Sequence, residues 1–197
     1  MEKVNEKEIE NCIKKFIHSD DKNLLIRGYF DIDKLVAVLS SVYNEEEVNQ
    51  LLLVLGDTSV KDVPRLFNPA FIQPKFKNVK LDTKKYRFPN AEGVFTKWRS
   101  HINGVFGAGK DLAIFYPVEG VLFNSNDTDK FKSTLKNSRA KKSILITTND
   151  FSNLTKKLYD SVDEVIIFDS SNANENNKEL LKVIHRNFEF DKRELPY

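Results

Sequence analysis

The sequence predicts a three-layer α/β domain, a mainly parallel sheet covered by helices on both faces. Three observations predict it. "QLLLVLGD", "SILITTND" and "DEVIIFD" are continuous apolar runs, the pattern of strands buried on both sides. Segments with apolar residues at helical spacing stand between such runs. The two kinds alternate most regularly over the last third of the chain, as a parallel sheet with helical crossovers requires. With 197 residues the chain suffices for one domain with a real core. A single domain over 1–197 is expected.

The elements follow in order. Residues 5–18 place Ile9, Cys12, Ile13, Phe16 and Ile17 on one side of an amphipathic helix. Leu24, Leu25 and Ile26 form a short buried strand. Asp31 or Asp33 caps the next helix, which carries Ile32, Leu35, Val36, Leu39 and Val42 on one face. "QLLLVLGD" is the second strand. Residues 61–90 hold Pro64, Pro69, Pro74 and Pro89, and read as an irregular or edge-strand insertion. Val94, Phe95, Trp98 and Ile102 suggest a third helix. "LAIFYPVEGVLF" (112–123) then reads as a buried strand that bends at Pro117. "DTDKFKSTLKNSRAKK" is a capped helix with Phe131 and Leu135 inward. After the strand "SILITTND" comes a helix with Leu154 and Leu158, then the strand "DEVIIFD". A last helix turns Leu180, Leu181 and Ile184 inward.

Composition excludes several classes. The 31 Lys+Arg against 29 Asp+Glu leave a net charge of +2, too small for a global pull toward nucleic acid or a membrane. A single cysteine, Cys12, rules out an internal disulfide and fits a reducing compartment, cytoplasmic or nuclear. With three histidines and that one cysteine, no metal site is expected. "MEKVNEKEIE" has no apolar signal core. No run approaches the roughly 18 apolar residues of a membrane span.

"NGVFGAGKD" (103–111) raises the possibility of phosphate chemistry. Gly104, Gly109 and Lys110 satisfy G-x-x-x-x-G-K, a pattern similar to that of P-loop NTPases, with Asp111 where Ser or Thr would hold Mg²⁺. Asp169, ending "EVIIFD", resembles the metal-holding acid of a second nucleotide motif. ATP and Mg²⁺ enter only with this alternative site. Its surroundings disagree with it. A P-loop follows a buried strand and opens a helix, whereas "TKWRSHIN" reads as a helix end and Pro117 follows soon after.

"LLIRGYFDIDKLVAVL" has the required order of strand, loop and helix. It resembles a worn first nucleotide motif of the AAA+ ATPase family, within the P-loop NTPase and Rossmann-like folds. Gly28 takes the first glycine position and Lys34 the lysine position, while Asp33 replaces the second glycine and Leu35 replaces Ser/Thr. "SILITTND" resembles the family's sensor strand, with Asn149 in the sensor position. Tyr116 and Pro117 stand where the metal- and water-activating acids belong, followed by Glu119 and Gly120. Asp160 and Ser161 fall where subunit-contacting arginines are found. The chain ends where the family's helical lid would begin. The resemblance spans about residues 5–188.

That resemblance implies an ATPase fold without ATPase chemistry. No catalytic residue or cofactor is expected. The implied role is a binding or regulatory subunit, or an adaptor, in a larger and DNA-processing assembly, with a protein partner. A plain Rossmann-like binding module, with strand-end acids Asp57, Asp150 and Asp169 near its site, is the remaining alternative. Nucleic acid is a further candidate partner through the basic stretches Lys75–Arg87 and Lys136–Lys142.

Overall fold

The apolar runs become the strands of one sheet. The computed structural model describes residues 1–56, 59–99 and 105–197. Its strands are β1 (Glu2–Val4), β2 (Asn23–Arg27), β3 (Gln50–Leu55), β4 (Lys85–Arg87), β5 (Glu92–Lys97), β6 (Leu112–Phe115), β7 (Lys142–Ile146) and β8 (Glu164–Phe168). Its helices are α1 (Ile9–His18), α2 (Asp31–Tyr43), α3 (Val63–Phe67), α4 (Ser125–Lys136) and α5 (Glu175–Phe190).

Among the described residues the sheet order is β1-β8-β2-β7-β6-β3-β5-β4. Neighbours run parallel throughout except β4, which lies antiparallel on β5. β2 is central: Leu25 pairs with Leu145 on one side and Val165 on the other. All its residues are buried, the condition that makes a strand read as an unbroken apolar run.

Alternation along each strand separates two cores. Leu24, Ile26, Leu53 and Ile144 face α1, α2 and α3 through Ile13, Phe16, Leu35, Val38 and Phe67. Leu25, Val54, Phe115 and Leu145 face the other way, onto Phe131 and Leu135 of α4 and onto Leu158. The result is the three-layer α/β arrangement, with helices on both faces. Among the described residues, no helix is long and apolar enough to cross a membrane.

Four local expectations need correction. Residues 92–97 form a strand rather than a helix; Val94, Phe95 and Thr96 favour β structure, and Gly93 lies close against the Phe88 ring. Ile102, assigned to the same helix, lies outside the described residues. Residues 112–123 are not one bent strand: β6 stops at Phe115, and a 3₁₀ turn occupies Glu119–Val121. Proline has no N–H to extend the ladder, which explains the stop before Pro117. Around Leu154–Leu158 the chain makes a 3₁₀ helix instead of an α-helix. In α5, Leu180 is 43% exposed, and Leu181 and Ile184 are only half-buried.

Within 61–90, α3 and a 3₁₀ turn (Asn68–Ala70) lead to the short edge strand β4. Phe67, Phe76, Tyr86 and Phe95 interlock edge to face there, with centroids 5.2–6.4 Å apart.

Candidate functional site

Parallel strands deliver their carboxyl ends to one edge of the sheet, where open α/β folds bind ligands. β2 brings Arg27 and Gly28 to that edge, β7 brings Thr147–Asp150, β6 brings Tyr116, and β8 brings Asp169. α2 starts directly above β2, so Asp31, Asp33 and Lys34 lie in its first turn.

Lys34 is fully buried. Its Nζ donates to the carbonyl oxygens of Gly28 (2.7 Å), Phe30 (2.8 Å) and Thr148 (2.8 Å). An ammonium has three donors, and here three backbone acceptors take them. Burial pulls the Lys34 pKa down to about 8, against the opposing pull of Glu119, Asp31, Asp150 and Asp33.

Gly28 allows the loop to pass this closely over the sheet. A Cβ there would stand 2.4 Å from the Phe168 carbonyl oxygen. The positive end of α2 is met by the chain's own carboxylates. Neither Asp31 nor Asp33 is the cap expected of them: the α2 N-cap is Phe30, with no side-chain cap, and both aspartates lie inside the first turn, where Asp31 Oδ1 accepts from the Ile32 N–H (2.8 Å). Asp33 Oδ2 accepts from Ser170 Oγ (2.5 Å) and Asn177 Nδ2 (2.7 Å).

Asn149, the sensor-like residue, is exposed. The buried side chain at this strand end is its neighbour Asp150, which accepts from Arg27 Nε at 2.5 Å. Arg27 also donates to Tyr159 Oη and to the Ser152 carbonyl (3.3 Å). Burial acts to lower the guanidinium pKa, but the hydrogen bond and charge of Asp150 outweigh it and raise the pKa. Thr155 Oγ1 donates to Asp150 as well, at 3.1 Å.

Tyr116 is a core residue, edge-on to Phe67 with centroids 5.5 Å apart. Glu119 Oε1 accepts from the Thr148 N–H (2.5 Å) and Thr148 Oγ1 (3.0 Å), which ties β6's end to β7's. Burial pushes the Glu119 carboxyl pKa up. Glu119 Oε2 and Tyr116 Oη are buried polar atoms with no hydrogen-bond partner among the described residues.

The G-x-x-x-x-G-K pattern lies elsewhere. Gly104 and Asp57 lie outside the described residues. Gly107 and Gly109 have φ values of 75° and 69°, and they reverse the chain just before β6. The Lys110 N–H closes that turn on the Gly107 carbonyl at 3.1 Å. Asp111 accepts from the N–H groups of Asn49 (3.0 Å) and Gln50 (2.9 Å) and pairs with Lys141 (2.8 Å). Its role is to anchor the start of β3.

Lys110 precedes β6 and Asp169 follows β8, so the two occupy opposite edges of a parallel sheet. At about 3.3 Å per residue they are separated by roughly 15 Å or more. The structure thus brings Gly28 and Lys34 together, with Asn149 on the same edge, and does not assemble Lys110 with Asp169. Asp169 pairs with Lys3 (3.0 Å) and accepts from the Ser171 N–H (3.1 Å).

Arg27, Tyr29 and Tyr159 were not singled out by sequence reasoning. One signal was present: "LLIR" and "ITTND" each end a buried run on a charge, and the charges are opposite. Lys75, Lys77, Lys80, Lys84, Lys85 and Arg87 are exposed on the insertion. In the second basic stretch Lys141 is taken by Asp111, while Lys142 donates to the Ser19 and Asp21 carbonyls and lies over the Phe16 ring.

No protein-family model matches the chain, and neither does any curated protein.

Proposed function

We propose that this chain is a non-catalytic AAA+-like module that works by binding, as a regulatory subunit or adaptor in a larger assembly. The supporting observation is the state of Lys34. A lysine that serves phosphates presents its ammonium to an open loop, whereas Lys34 spends all three donors on carbonyls of its own backbone. Hydrogen bonds from a charged group are worth about 1.5–3 kcal/mol each, so turning Lys34 outward carries a large cost. Asp31 and Asp33 add negative charge at the helix start where phosphate would bind.

Thermal melting with Mg-ATP tests the reading on the unaltered chain, Lys34→Ala and Lys110→Ala. A ligand at 100 times its Kd stabilises by about 2.7 kcal/mol. The proposal predicts no nucleotide-dependent shift in any of the three. A shift in the unaltered chain that either substitution abolishes contradicts it.

The assembly we propose handles nucleic acid, in a reducing cytoplasmic or nuclear setting. Support comes from the exposed cations along Lys75–Arg87 and from the single, half-buried Cys12. DNA binding at low salt should then fall steeply with added salt, log K losing about 0.9 per phosphate contacted for each decade of salt. Absent or salt-independent binding removes this part of the proposal.

A further inference from the structure

We propose that the carboxyl edge carries a ring-binding site now filled by this chain's own Tyr197, and that it accepts a tyrosine-bearing segment of a partner protein. The Tyr197 ring stacks on Tyr29 with centroids 4.7 Å apart and planes at 21°. The Arg27 guanidinium carbon lies 4.8 Å from the Tyr197 ring centroid. Tyr197 Oη donates to the Asp150 carbonyl (3.2 Å), and its own carbonyl accepts from Tyr29 Oη (2.8 Å).

One wall of this site, Arg27, is held by groups other than the ring: Asp150, Tyr159 and the Ser152 carbonyl. Tyr29 also stacks on Phe151, with centroids 5.8 Å apart. By contrast, residues 194–197 belong to no helix or strand. A cavity of about 110 Å³ lies beside them, bordered by Lys3, Phe30, Asp169, His185 and Leu195. The ring thus sits on an irregular segment, while Arg27 and the Tyr29–Phe151 stack supply contacts that do not belong to that segment.

The slot also specifies its ligand. Stacking and cation–π contacts accept any aromatic ring, but the Asp150 carbonyl needs a hydroxyl donor opposite the point of attachment. A tyrosine supplies it and a phenylalanine does not. A tethered ring competes at an effective concentration on the order of millimolar, so a partner segment must bind more tightly than that to displace Tyr197. The inference rests on the proposed binding role only for the existence of a partner. The slot itself can be tested without nucleotide, nucleic acid or partner.

The test uses the full chain with Tyr197→Ala and the probe 4-methylphenol, a tyrosine side chain without its backbone. The probe should raise the melting temperature of the variant at roughly tenfold lower concentration than in the unaltered chain, because its competitor is gone. Toluene, which lacks the hydroxyl, should do so less well. Equal responses in both proteins, or none in the variant, would overturn the proposal. If Tyr197→Ala does not fold, the unaltered chain decides by amide NMR. The peptide Arg-Glu-Leu-Pro-Tyr at millimolar concentration should shift the Tyr29 and Phe151 resonances more than Arg-Glu-Leu-Pro-Phe, and unshifted resonances reject the slot.

Discussion

Arg27 and Asp150 form a buried ion pair across the junction of β2 and β7, their side chains 1% and 0% exposed and 2.5 Å apart. They lie 123 residues apart in sequence. Arg27 ends β2 and Asp150 lies in the loop that leaves β7, so the pair ties that loop to the end of the central strand. Breaking such a pair from one side leaves an uncompensated buried charge.

Asp150→Ala should therefore destabilise the fold by about 3–5 kcal/mol, measured by urea unfolding. Replacing both residues with apolar side chains of similar volume should recover much of that loss. A double-mutant cycle reads the coupling directly. A loss below about 1 kcal/mol for Asp150→Ala, the size expected of an exposed pair, would show that Arg27 reaches water.

Gly28→Ala should cost about 1–3 kcal/mol, because the new methyl meets the Phe168 carbonyl and backbone must move. Among the described residues, Gly109→Ala meets nothing within 4 Å, and its cost there is the strain of its positive φ. Chemical denaturation of both variants should rank Gly28 as the more sensitive. The reverse order would mean that the loop above β8 has room to spare.

Lys34 makes stability depend on pH. Its folded pKa of about 8 lies below the ordinary 10.5. Between those values the unfolded chain binds more protons than the folded one, so stability rises with pH. Through this group, stability should be fully present above pH 10.5 and lost as pH falls through 8, by up to about 3 kcal/mol. Comparing unfolding free energies of the unaltered chain and Lys34→Met over that window isolates the effect. Parallel curves would contradict the buried ammonium.

Burial explains what could be read from the sequence. β2, β3, β7 and β8 are strands with mostly buried side chains, so they appear as unbroken apolar runs. β5 does not, because Val94, Phe95 and Trp98 also match a helical face. Only the pairing with β3 settles it. Leu180 and Val183 of α5 stay exposed although their spacing is that of a buried stripe. At the candidate site, position alone marked Gly28 and Lys34. The direction of Lys34 depends on carbonyls from two loops that lie 114 residues apart at Thr148, which spacing does not encode. Asp150 appeared only as one strand-end acid among three, and its buried partner Arg27 becomes its neighbour through the β2–β7 pairing.

The most direct test of the central claim, that the chain's own groups saturate the phosphate position above β2, is calorimetric titration of the unaltered chain with Mg-ATP. The account predicts no saturable heat up to millimolar nucleotide, with Lys34 still bound to its three carbonyls. Saturable binding that disappears in Lys34→Ala while the variant remains folded would contradict it.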